Sequence, residues 1–88
     1  MSWDYRIEED AKRQLRDLGP SAAKEILHYL DTRVKGAADP RSSGKALRSG
    51  LKGLWRYRVR DWRILCRLDN GVCIVIVIKV DHRSTVYE

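Results

Sequence analysis

The 88 residues, 43% hydrophobic and 34% charged, can close one small core and leave no material for a second, so residues 1–88 read as a single domain. Eighteen lysines and arginines against twelve acids leave a formal net charge of +6, more than an ordinary soluble domain carries. The surplus suits a polyanion or an acidic protein partner, although a merely solvated basic surface gives the same count.

In chain order, "WDYRI" (residues 3–7) reads as a short first strand. "EEDAKRQLRDL" follows with Ala11, Leu15 and Leu18 at helical spacing and three acids in its first turn, where the helix dipole favours them. Gly19-Pro20 separates it from a second helix, in which Ala22, Ile26, Leu30 and Val34 share a face and Gly36 suits the C-cap. The two helices form an antiparallel hairpin. Residues 37–50 read as a loop, with a short extended piece around Lys45, Leu47 and Arg48. Three strands come next, over roughly 53–59, 62–68 and 72–80, with Asn70-Gly71 as a two-residue hairpin turn. A last short strand over residues 85–87 is possible after a polar break.

The longest apolar run, residues 72–80, is too short to span a bilayer, and the acidic N-terminus lacks the apolar stretch of a secretion signal. A cytoplasmic location away from membranes is expected. Cys66 and Cys73 fall inside strand-like runs and read as reduced thiols, with a disulfide as the alternative. No metal-ligand spacing occurs, and no cofactor is expected.

The stretch "GLWRYRVRDWRILCRL" (residues 53–68) gathers five arginines among three aromatic rings. With Arg60-Asp61 at a hairpin tip, Arg58 lies opposite Arg63 and Arg56 opposite Leu65. One face then holds Trp55, Tyr57, Val59, Trp62, Ile64 and Cys66. The other holds Arg56, Arg58 and Arg63, with Arg67 further along. Like charges directly opposite destabilise a sheet, so a converging set is better explained by an anionic ligand than by folding. Solvated outer-face arginines are the plainer explanation and suffice for one or two. Carrying the register onward puts Cys73, Val75 and Val77 toward the helices and Ile74, Ile76 and Ile78 on the arginine side. Those isoleucines need cover, from the chain itself or from a partner.

The ordered set "DPR", "G", "WRYRV", "DWRIL", a hydrophobic strand and "HRSTVY" resembles RelE-type toxins of bacterial toxin–antitoxin systems over essentially the whole chain. The resemblance implies an α+β fold, with an N-terminal strand and an α-helical hairpin packed on one face of a small antiparallel β-sheet. It implies a ribosome-dependent endoribonuclease that cuts mRNA in the 30S A site, held inactive by a RelB-like antitoxin with an acidic or amphipathic segment. Its catalytic positions carry over to Arg56, Arg58, Arg63, Arg83 and Tyr87. Lys45, Arg48, Lys52, Arg60 and Arg67 are the candidate contacts to rRNA and mRNA.

Two departures matter. Some relatives have lysine where this chain has Arg56 and Arg58, and an arginine cannot act as a base. His82 is the candidate base that titrates near neutrality, the alternative being a loop histidine beside the site. Tyr87 would either stack on a base or hold a proton. Arg60 stands where the family usually has glycine, and either meets rRNA phosphate or does nothing. His28 reads as a surface residue, the acids at 8–10 as helix-start acids, and Trp55 and Trp62 as core. Two rivals remain: a ParE-like gyrase inhibitor, and a non-enzymatic module whose arginines only anchor RNA or a carboxylate-rich partner.

Overall fold

A computed structural model describes residues 2–47 and 53–82. Arg48, Lys52, Arg83, Tyr87 and the expected strand over 85–87 lie outside the described residues.

The described chain runs β1 (Asp4–Ile7), α1 (Glu9–Leu18), α2 (Pro20–Arg33), a 3-10 turn (Pro40–Ser42), β2 (Lys45–Ala46), β3 (Trp55–Val59), β4 (Trp62–Asp69) and β5 (Ile74–His82). The five strands form one sheet in the order β1-β5-β4-β3-β2. β2 to β5 are antiparallel to their neighbours, whereas β1 pairs parallel with β5, so the sheet is mixed.

Local chemistry sets the helices. Glu9 and Asp10 occupy the first turn of α1 and Arg16 the last, complementing the helix dipole. Gly19, at φ 100°, is the single residue between the helices, and Pro20 begins α2 where its missing N–H costs nothing. Gly36 does not cap α2, which ends at Arg33. It turns at φ 80° and donates its N–H to Trp3 O at 2.7 Å.

Ala11 and Leu15 of α1 and Ile26, Leu30 and Val34 of α2 pack on Tyr57, Ile64, Cys66, Val75, Val77 and Val80. This is the predicted core face with one addition, Val80. Burial pushes the Cys66 thiol pKa up, and Cys66 and Cys73 are both free. Among the described residues no helix is long and apolar enough to cross a membrane.

The "DPRSSG" segment is a clamp on β3. Asp39 Oδ1 accepts from Arg41 N at 2.9 Å, Pro40 O accepts from the buried Tyr57 hydroxyl at 2.7 Å, and Ser43 O accepts from Trp55 Nε1 at 2.8 Å. Arg41 also donates to Asn70 Oδ1 at 2.9 Å, tying the clamp to the β4–β5 turn. Gly44, at φ 79°, passes so close to β3 that a Cβ would lie 2.4 Å from Arg56 O. Only glycine fits there.

Two turns decide which side chains share a face. The β3–β4 hairpin closes through Arg60-Asp61, with Val59 opposite Trp62 and Arg58 opposite Arg63, as expected. The second hairpin differs. Asp69 opposes Ile74, so residues 70–73 form a four-residue loop. The left-handed position falls on Cys73, at φ 55°, rather than on Gly71. The Asp69 carboxylate accepts from Gly71 N at 3.0 Å, an Asx-type bond that shapes the wider turn. The resulting slip of two residues preserves every face assignment, where a slip of one would invert them.

The inversion comes later, at a β-bulge. Cys66 pairs with Val77 but Leu65 pairs with Lys79, leaving Ile78 as an extra residue on β5. Beyond it Val80 faces the helices, and its N–H donates to Gln14 Oε1 of α1 at 2.7 Å. Ile76 is buried within the chain, flanked in register by Arg6 of β1 and Arg67 of β4; Ile74 and Ile78 stay half-buried.

A cationic face on the sheet as candidate functional site

On the face away from the helices, the strand registers align two cross-strand rows. One runs Lys45, Arg56, Leu65, Lys79 across β2, β3, β4 and β5. The other runs Arg58, Arg63, Asp81 across β3, β4 and β5. Residues two apart on a strand share a face, so the rows are neighbours and hold five cations around one carboxylate. Directly opposed Cβ atoms in an antiparallel pair are about 5 Å apart, which places the Arg58 and Arg63 side chains within reach of a single phosphate.

Arg58 is exposed and donates Nε to Arg60 O at 3.1 Å. Arg63 is half-buried, and its Nε is buried with no hydrogen-bond partner among the described residues. Leaving such a donor unmet costs about 1–3 kcal/mol. Among the described residues, no carboxylate forms an ion pair with Arg58 or Arg63. Asp81 opposes Arg63 in register; its Oδ1 accepts from His82 N at 2.9 Å and its Oδ2 lies 3.9 Å from Lys79 Nζ. Two opposed guanidiniums that no described carboxylate neutralises are suited to bind an anion through charge-assisted hydrogen bonds.

Of the residues singled out from sequence, Arg56, Arg58, Arg63 and Lys45 therefore meet. Arg67 lies on the same face four positions beyond Arg63 on β4 and pairs with Glu8 at 3.3 Å. Arg60 is drawn off to the helical side, where its Nε donates to both carboxylate oxygens of Glu25 on α2 at 2.7 and 2.9 Å. Its φ of 54° is the left-handed conformation that glycine takes without strain.

His82 is a correction. It opposes Trp62, with ring centroids 6.3 Å apart, and alternation from Asp81 puts it on the helix side of the sheet. That placement does not bring it to Arg63. His28 is exposed on α2, and Trp55 and Trp62 pack against the core, as expected. Tyr57 is a core residue whose hydroxyl pKa is pushed up, first by burial.

Sequence reasoning missed Lys79 and Asp81. Continued alternation from Val77 sends both toward the helices, and the bulge at Ile78 returns them to the arginine side. A signal existed in "KVD": anchored on an inward Val80, the two charged letters fall outward together.

Residues 5–87 match the family model described as the ParE toxin of the type II toxin–antitoxin system parDE. The chain belongs to this family, within the RelE/ParE superfamily of toxins. The toxin is 29% identical to Toxin RelG of Mycobacterium tuberculosis, over 99% of its own length and 98% of that protein. The toxin–antitoxin complex RelBE2 from the same organism contains a chain that superposes with a TM-score of 0.84 at 28% identity, covering 94% of this toxin and 100% of that chain. The archaeal RelE–RelB complex from Pyrococcus horikoshii superposes with a TM-score of 0.70 at 16% identity, covering 98% and 100% of the two chains, a likeness of fold. This toxin is thus a type II toxin–antitoxin toxin built on two helices and a five-stranded mixed sheet.

Proposed function

We propose that the toxin is a ribosome-dependent endoribonuclease that cuts mRNA in the 30S A site and so blocks translation in the cytoplasm. The observation that carries this reading is the direct opposition of Arg58 and Arg63, beside Arg56 and Lys45, on the face of the sheet away from the helices. RNA cleavage by the neighbouring 2′-hydroxyl needs no metal: O2′ attacks phosphorus, the P–O5′ bond breaks, and charge grows on the non-bridging oxygens. Preorganised guanidiniums oppose that charge, and removing one such donor costs about a hundred- to a thousandfold in rate.

Arg63 takes the role of transition-state contact, because its half-buried position restricts its motion and, among the described residues, no carboxylate forms an ion pair with it. Arg56, Arg58 and Lys45 hold the flanking backbone. Arg83 is assigned as a second stabilising cation, and Tyr87 as a group that stacks on a base or holds a proton. Lys52 and Arg48 extend the contact to rRNA. Arg60 and Arg67, already paired with Glu25 and Glu8, are secondary contacts. The partner that silences the toxin is a RelB-like antitoxin with an acidic or amphipathic segment. RelBE2 of M. tuberculosis, 28% identical in its matching chain, is a toxin–antitoxin complex.

The family model's ParE description favours a second reading, inhibition of DNA gyrase. One experiment separates them. Expression should arrest translation, with primer extension showing cuts inside ribosome-bound mRNA, and Arg63→Ala should lower cleavage about a hundred- to a thousandfold while leaving antitoxin binding intact. Broken chromosomal DNA with intact transcripts would favour gyrase, and a fully toxic Arg63→Ala would remove Arg63 from the site.

A further inference from the structure

The tip of the β3–β4 hairpin carries a residue poorly suited to its backbone. Of the two loop residues only Arg60 has a positive φ, 54°. A two-residue loop of that pattern favours glycine at its first position, because a Cβ crowds the backbone there. The Arg60 side chain is held from α2. Its Nε donates to both carboxylate oxygens of Glu25, at 2.7 and 2.9 Å, beside a cleft that Glu25 lines with His28, Tyr29 and Val59. The Arg60 carbonyl in turn accepts from Arg58 Nε at 3.1 Å. Glu25, Arg60 and Arg58 thus form a relay of contacts that starts on the helical side of the sheet and ends in the arginine rows.

We infer that Glu25 is a positioning residue for the cleavage site: by clasping Arg60 it holds the hairpin tip in its left-handed form, and the tip carbonyl sets the Arg58 guanidinium beside Arg63. The inference rests on the ribonuclease reading above. Glu25 touches neither RNA nor the reacting atoms; it acts through Arg60.

The chemistry of the relay is simple. A guanidinium is a rigid planar fork, so engaging its Nε orients the whole plane and leaves the terminal Nη groups for phosphate. Arg58 is exposed, and without the carbonyl its long side chain would sample many rotamers before meeting an anion. The clasp itself adds little to global stability, because the Arg60 and Glu25 side chains are 69% and 38% exposed. A weak pair is enough here. The preference it offsets, that of a residue with a side chain against the left-handed region, is of similar order. Glycine at position 60 would keep the turn unaided, and Glu25 would then have nothing to do.

That dependence supplies the test, a mutant cycle read by single-turnover cleavage of mRNA on programmed ribosomes with full-length protein. Glu25→Ala is made in three backgrounds: wild type, Arg60→Gly, and Arg58→Lys, which keeps a cation but loses the planar fork. In the wild-type background Glu25→Ala should slow cleavage about fivefold or more, with the melting transition near its wild-type value. In either of the other two it should cost less than about twofold, because the tip no longer needs the clasp or the fork is gone. A loss under about twofold in the wild-type background, a lost melting transition, or an equal loss in all three backgrounds would overturn the assignment. If wild type cleaves, such a result removes Glu25 alone and leaves the ribonuclease reading standing. A wild type that cuts no ribosome-bound mRNA overturns that reading and the role of Glu25 with it.

Discussion

The two faces of β3 and β4 are one residue apart along the chain and have opposite roles. Tyr57, Ile64 and Cys66 are fully buried under the helices, whereas the intervening Arg58 and Arg63 stand on the side the helices leave uncovered. Folding information and binding chemistry are thus interleaved at the two-residue period of the strand. Each should be alterable without the other, and that separation can be tested.

The largest expected effect is on the covered face. Ile64→Ala opens a cavity beneath the helices and should lower stability by about 2–5 kcal/mol, read from the denaturant midpoint. Arg63→Ala, its neighbour, should leave that midpoint almost unmoved while lowering cleavage about a hundred- to a thousandfold. If both variants unfold alike, the division between faces is wrong. A smaller effect is expected where the faces are linked. Gln14→Leu deprives the Val80 N–H of its acceptor and should cost about 1–3 kcal/mol. If the bulge also relaxes, cleavage will fall further than the loss of folded protein explains, a sharper result that ties α1 to the site.

The smallest effect belongs to the hairpin tip. Arg60→Gly relieves a left-handed backbone worth about 1–2 kcal/mol. It also gives up an ion pair whose arginine is 69% exposed, worth under about 1 kcal/mol after solvent screening. Net stability should rise by about 1 kcal/mol or less in a thermal melt. Cleavage should stay within about twofold of wild type, because the Glu25 pair already holds that guanidinium away from the arginine rows. A large drop in cleavage would make Arg60 a principal rather than a secondary RNA contact.

Much of the fold was legible because strand alternation and helix periodicity are local. The positions of Ala11, Leu15, Ile26 and Leu30, and the faces of β3 and β4, follow from spacing alone. The Arg58–Arg63 pairing was equally readable, because the loop at Arg60-Asp61 fixes it. The Asn70-Gly71 turn was misjudged for a tertiary reason. Arg41 bonds Asn70 from the distant 3-10 turn, and Asp69 closes on Gly71, which together favour the wider loop. Lys79 and Asp81 went unnoticed, and the side of His82 was not readable, because the bulge depends on packing against α1 and the Gln14 bond, neither of which is local to β5. The "DPRSSG" motif carried a resemblance without disclosing its task, which is to hold Trp55 and Tyr57 in place.

Ile78 is an extra bead on β5, and its removal would have an uncommon outcome. Val77 and Lys79 already pair with adjacent residues of β4, so deleting the bead would straighten the strand and keep every later side chain where it is. Keeping the bead while flattening the kink would instead exchange inside for outside from Lys79 to the end of β5. A one-residue gain or loss at this point is therefore silent in space and shows only in the count of letters.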